Sequence, residues 1–133
     1  MSVKLFVYGT LLFEPVWLRL IGRVPSLKKG VVYGWTRKSI KGVSYPAICR
    51  EDKGSVLGAL IIGLTEDEMR IVDAYEDVGY AKTQVEVVLE EGIEMALSYV
   101  REDDSCSDLL GDWTPEDYLA SGALEIFLAR WKV

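Results

Sequence analysis

The sequence contains no histidine. That single absence closes off several chemistries. A Ser-His-Asp or Cys-His relay cannot form, and a histidine-bearing zinc site is excluded. Cysteine is scarce: Cys49 and Cys106 are the only two, too few for a four-cysteine metal site. Any general base must therefore be Asp, Glu, Lys, Tyr or Cys. Basic residues are outnumbered, 15 against 21 acids, for a formal net charge of −6. No lysine or arginine run interrupts that balance, so neither nucleic acid nor an anionic lipid surface finds an electrostatic footprint. Apolar runs long enough to span a bilayer are missing too. The expected partner is a small molecule, with no nucleic acid, no membrane and no cofactor. The sequence carries no signal for an oligomeric state.

Half of the 133 residues are hydrophobic and 11% are aromatic, enough for one domain, residues 1–133, with one packed interior. Cys49 stands in an apolar run and is expected in the core. Cys106 stands in a polar segment and is expected to be exposed and free. Met1-Ser2-Val3-Lys4 runs straight into a strand-like segment. With so few cysteines, a cytoplasmic location is expected.

Lys4 to Tyr8 is a short β-rich run that stops at Gly9. Pro15 suits the first turn of a helix reaching Ile21, and Gly22 suits its end. Gly30 to Arg50, rich in Val, Tyr, Trp, Thr and Ile and punctuated by glycines, predicts two or three strands. Val56 to Leu64 is a nearly continuous apolar run, which favours a buried strand. Its glycines, Gly58 and Gly63, suggest a bulge or a tight bend. Thr65-Glu66-Asp67-Glu68 is a capping box, and Met69, Val72 and Tyr75 follow at helical spacing. Val85 to Leu89 and Ile93 to Val100 predict a hairpin across Glu90-Glu91-Gly92. Residues 101–112 form a polar loop. Thr114-Pro115-Glu116-Asp117 opens a last helix that is expected to run nearly to Trp131. Many strands, three helices and no βαβ alternation predict an α+β fold: a small closed or nearly closed β-barrel with flanking helices.

Two segments stand out chemically. In Tyr8-Gly9-Thr10-Leu11 a strand ends in glycine, so backbone N–H groups are free to bind a carboxylate or an oxyanion. An ordinary strand-to-loop turn is the alternative reading. Glu76 sits where one helix ends and the next strand has not begun, between Tyr75 and Tyr80. Desolvation there would favour its neutral form and suit it to accept a proton near neutrality. A solvated acid beside Asp77 is the alternative.

These two segments also carry a resemblance. Leu5-Phe6-Val7-Tyr8-Gly9-Thr10-Leu11-Leu12 resembles the opening of the γ-glutamylcyclotransferase-like proteins. Val72-Asp73-Ala74-Tyr75-Glu76, followed by Tyr80, resembles their Leu-Asp-x-Phe-Glu-x-x-x-Tyr segment. Pro15-Val16-Trp17 with Leu20-Ile21-Gly22-Arg23, Tyr45-Pro46-Ala47-Ile48, and Gly111-Asp112-Trp113 are similar to the AIG2-like branch. The resemblance implies a β-barrel with flanking helices and cofactor-independent cyclisation of a γ-glutamyl compound to 5-oxoproline. It implies that the loop of Tyr8, Gly9, Thr10, Leu11, Leu12 and Phe13 holds the glutamyl end, that Glu76 is the catalytic acid/base, and that Tyr80 lies near the site. The chain departs from the pattern in having Tyr75 for phenylalanine and Asp77 where glycine is frequent. The leaving group, an amino acid or another amine, stays open. A binding module that keeps the fold without turnover is the reading from another class.

Overall fold

A computed structural model describes residues 3–40, 45–76, 80–101 and 109–130. Strand β1, Val3–Val7, sends side chains alternately into two cores. Leu5 and Val7 join the cluster beneath the helices, while Phe6, and Tyr8 just past the strand, join the cluster that fills the barrel. A strand buried on both faces reads as an unbroken apolar run, which is how Leu5 to Tyr8 reads.

A 3₁₀ turn follows at Thr10–Leu12, then helix α1, Glu14–Ile21, with Pro15 in its first turn. Trp17 on α1 is fully buried, and its indole N–H donates to the Leu11 carbonyl at 2.6 Å. Strands β2, Ser26–Ser39, and β3, Pro46–Leu64, form a long antiparallel pair. The two or three strands expected across Gly30 to Arg50 are therefore the end of one strand and the start of the next. Gly34 is not a break but an irregularity inside β2: its φ of 88° is one that L side chains rarely adopt. The register shifts there, between Tyr33 and Trp35. Gly58 on β3 has a steric reason to be glycine. A β-carbon there would come within 2.2 Å of the Val7 carbonyl oxygen, so β1 and β3 approach too closely for any side chain.

Helix α2, Glu66–Tyr75, starts with the expected capping box. Thr65 Oγ1 accepts from the Glu68 N–H at 3.1 Å, and Glu68 Oε1 accepts from the Thr65 N–H at 3.0 Å. Arg23 adds two donors to the same carboxylate, at 2.7 and 2.6 Å. The Arg23 bond first, and the Thr65 bond after it, hold the Glu68 carboxyl down to about 2. A carboxyl lowered in the fold stabilises it above the ordinary carboxylate range and ceases to as pH falls towards the folded value. Between about pH 5 and pH 2 the urea midpoint of the wild type is expected to fall more steeply than that of Glu68→Gln, the two converging at the acid end. Parallel acid limbs would contradict this. Thr65→Ala is expected to lower stability by about 1 kcal/mol at neutral pH.

Strands β4, Tyr80–Leu89, and β5, Gly92–Arg101, form the predicted hairpin across Glu90 and Glu91, with Leu89 opposite Gly92. Residue Leu5 of β1 then pairs with Leu97 of β5 in parallel, closing the barrel in the order β1-β3-β2-β4-β5. Buried Ser98 satisfies itself across this closure by donating to the Phe6 carbonyl at 3.0 Å.

The single last helix expected from Pro115 is two helices, α3, Pro115–Ala120, and α4, Ala123–Arg130. Gly122 takes a φ of 79° and turns the chain. The Ser121 hydroxyl donates back to the Tyr118 carbonyl and accepts from the Ala123 N–H, which ends one helix and starts the other.

Of the polar loop at 101–112, residues 109–112 are described. Lys38 and Asp112 form an isolated bridge and an ion pair of 2.5 Å. Cys49 is fully buried, as expected, but it is disulfide-bonded. The expected free thiol of Cys106 lies outside the described residues. Asp77 and Trp131 lie outside them too. Among the described residues no helix is long and apolar enough to cross a membrane.

Candidate active site

The end of β1, the start of β3, the end of α2 and the start of β4 meet at one end of the barrel. There they enclose a cavity of about 260 Å³. Tyr8, Gly9, Thr10 and Leu11 line one side, Ala74, Tyr75 and Glu76 another, and Tyr80, Tyr99, Tyr45, Pro46 and Phe127 help to complete it. Five of the chain's seven tyrosines are in this wall, and Glu76 is the one charged residue among the described lining residues. The cavity thus brings together Glu76, Tyr80 and the first four residues of the predicted loop.

Leu12 and Phe13 are not part of the wall. Both pack against the core beneath the helices, and Phe13 stacks on Tyr118 with ring centroids 5.5 Å apart. A 3₁₀ turn rotates each successive side chain by about a third of a circle. Thr10 and Leu11 face the cavity, and the next two residues turn away from it.

Glu76 is placed by the C-terminus of α2, where its N–H donates to the Val72 carbonyl at 3.1 Å. It is partly buried, and three phenols feel its charge. Burial first, then Tyr80 and Glu76, push the Tyr8 phenol well above its ordinary value. Burial and then Glu76 also raise Tyr75, against the lowering effect of its bond to Thr10. Tyr99 is raised by burial, by its bond to Asp73, and by the charges of Asp73 and Glu76. All three phenols are thereby held neutral.

Their hydroxyls fix the wall. Tyr8 donates to the Tyr99 carbonyl. Thr10 Oγ1 and the Tyr75 hydroxyl lie 2.6 Å apart. Tyr80 donates to the Pro46 carbonyl at 2.6 Å. Tyr99 donates to Asp73, whose other oxygen accepts from Lys82 at 3.1 Å. The loop supplies the complementary chemistry. The first N–H groups of a helical turn lack internal acceptors. Among the described residues no acceptor takes the N–H of Gly9, Thr10 or Leu11. Glu76 and the residues that carry these N–H groups line one tyrosine-rich cavity, a set of groups able to move a proton and to hold a developing negative charge.

Sequence reasoning missed Tyr99 and the wall role of Tyr45 and Pro46. The last two stood in a quoted motif. Tyr99 carried no signal: it looks like any aromatic of a barrel strand.

Comparison with known proteins gives the family. Residues 5–115 match the family described as gamma-glutamyl cyclotransferase, AIG2-like. AIG2-like protein C of Arabidopsis thaliana is 37% identical over 119 residues, covering 88% of this chain and 69% of that protein. The gamma-glutamylcyclotransferase and putative RNase MJ0434 of Methanocaldococcus jannaschii is 31% identical over 91 residues, 67% of this chain and 41% of that protein. The solution structure of At3g28950.1 from Arabidopsis thaliana superposes with a TM-score of 0.77 at 27% identity, over 97% of this chain and 79% of that one. The chain belongs to the AIG2-like gamma-glutamyl cyclotransferase family.

Proposed function

We propose that the protein cyclises the γ-glutamyl group of a small substrate to 5-oxoproline and releases an amine, with Glu76 as the general acid/base. The observation that carries this reading is that Glu76 and the Tyr8–Leu11 loop face one cavity. The substrate's α-ammonium gives a proton to Glu76. The freed amine attacks its own γ-carbonyl and closes a five-membered ring. Negative charge collects on the carbonyl oxygen, where N–H groups of the loop receive it. The C–N bond to the leaving group breaks as Glu76 returns the proton to the departing nitrogen, and the ring nitrogen's remaining extra proton passes to the freed amine, which leaves as an ammonium. The attack is intramolecular, so the cavity's main task is to hold the substrate folded back on itself.

The test is to incubate the purified chain with a γ-glutamylamine such as the ε-(γ-glutamyl)lysine isopeptide and a γ-glutamyl amino acid such as γ-glutamylalanine, and to measure 5-oxoproline. Release from at least one of them is expected. Binding without release from any compound would replace the enzyme reading with a binding module.

A further inference from the structure

Arg37 lies on β2, outside the cavity wall, and played no part in the sequence reading. Its guanidinium donates to three backbone carbonyls: Tyr8 at 2.9 Å, Leu57 at 3.0 Å and Trp113 at 3.0 Å. It also lies over the Trp113 ring, 5.4 Å from the centroid. The side chain is half-buried, and among the described residues no carboxylate pairs with it. A permanent cation has thus been given up to main-chain oxygens from three separate segments.

One of those oxygens belongs to the peptide that joins Tyr8 to Gly9. That peptide is trans, like every described peptide of the chain. In a trans peptide the C=O and the following N–H point in opposite directions. Arg37 fixes the carbonyl on its own side, so the Gly9 N–H is turned the other way, and Gly9 lines the cavity. A cation bound to the carbonyl also polarises the peptide and makes its N–H a stronger donor.

We propose that Arg37 is a positioning residue: held behind the Tyr8–Gly9 peptide, it aims and strengthens the Gly9 N–H that receives negative charge from the substrate. This rests on the cyclotransferase reading. The same three bonds tie the end of β1 to β3 and to Trp113, so the loop is braced from outside the cavity and its inner face stays open to substrate. Lysine does not replace this arrangement, because a single ammonium cannot spread planar donors over three carbonyls.

The test uses the full chain and whichever panel compound the wild type turns over. Arg37→Met is expected to lower kcat on the order of 10²-fold, with KM within about threefold. Arg37→Lys is expected to lose about tenfold. The Gly9 amide resonance in a ¹⁵N–¹H spectrum is expected to move in both variants. Thr65→Ala, destabilised at a distant cap, serves as the control and is expected to leave both kcat and that resonance unchanged. If Arg37→Met does not fold, the Arg37→Lys comparison decides. A folded variant with wild-type kcat and an unmoved Gly9 amide would overturn the inference while the cyclotransferase reading stands. So would a loss of activity that follows melting temperature alike in Thr65→Ala and the Arg37 variants. A wild type that releases no 5-oxoproline from any compound would overturn both.

Discussion

Glu76→Gln is expected to lower kcat for 5-oxoproline release by about 10³-fold, within the usual span for loss of a general base. The amide keeps the size and planarity of the carboxylate but cannot take the ammonium proton. Glu76 ends α2 through its backbone N–H, which the substitution leaves in place, so the helix end is expected to survive it. KM is expected to change by less than about threefold. Glu76→Asp, one methylene shorter, is expected to fall between the two. Steady-state assays beside melting curves check all of this. Wild-type turnover in Glu76→Gln would remove Glu76 from the reaction and leave the tyrosine-lined wall without its proton carrier.

Trp17→Ala is expected to be the most destabilising single change in the region under the site, by about 4 kcal/mol. The indole is fully buried in the cluster that joins α1 to the barrel. Truncation leaves a large void and strips the Leu11 carbonyl of its donor. Trp17→Phe separates the two effects. It keeps most of the volume and loses only the hydrogen bond, for a stability loss of about 1–2 kcal/mol. The Leu11 carbonyl belongs to the turn that lines the cavity, so kcat/KM is expected to drop several-fold in Trp17→Phe even where the protein is fully folded. Urea titration gives the first quantity and kinetics at low temperature the second. A Trp17→Phe protein with full activity would show that the turn is held without the indole.

Local rules carried much of the fold into the sequence. The capping box at Thr65, the hairpin across Glu90 and Glu91, and proline in the first turn of α1 all depend on neighbours a few residues away. Each was legible. Gly34 and Gly122 were not, because a glycine alone does not say whether it ends an element, bends it or splits it. Gly34 bends a continuous strand, and Gly122 splits a helix that composition alone would continue. The site divides in the same way. Glu76 and the Tyr8–Leu11 segment stood out because their residue types and places at element ends were unusual, and their motifs resembled a known family. Leu12 and Phe13 belonged to the same contiguous motif, but the 3₁₀ turn aims them at the core. Arg37 and Tyr99 act across the barrel, on backbone atoms or on partners far away in the chain, and no local pattern marks such a contact.

The pairing of Leu5 with Leu97 sets an order of events. β1 leaves the ribosome before β5, yet β5 is one of its two neighbours in the sheet. Contacts of such large sequence separation form late, because the loop between them must close first. Tyr8 depends on the same arrival, since its hydroxyl binds the carbonyl of Tyr99 on β5. The segment proposed to grip the substrate is made before β5 and must wait for it before it is held. An incomplete chain therefore lacks a formed cavity, and binding competence is expected to emerge together with the last steps of folding.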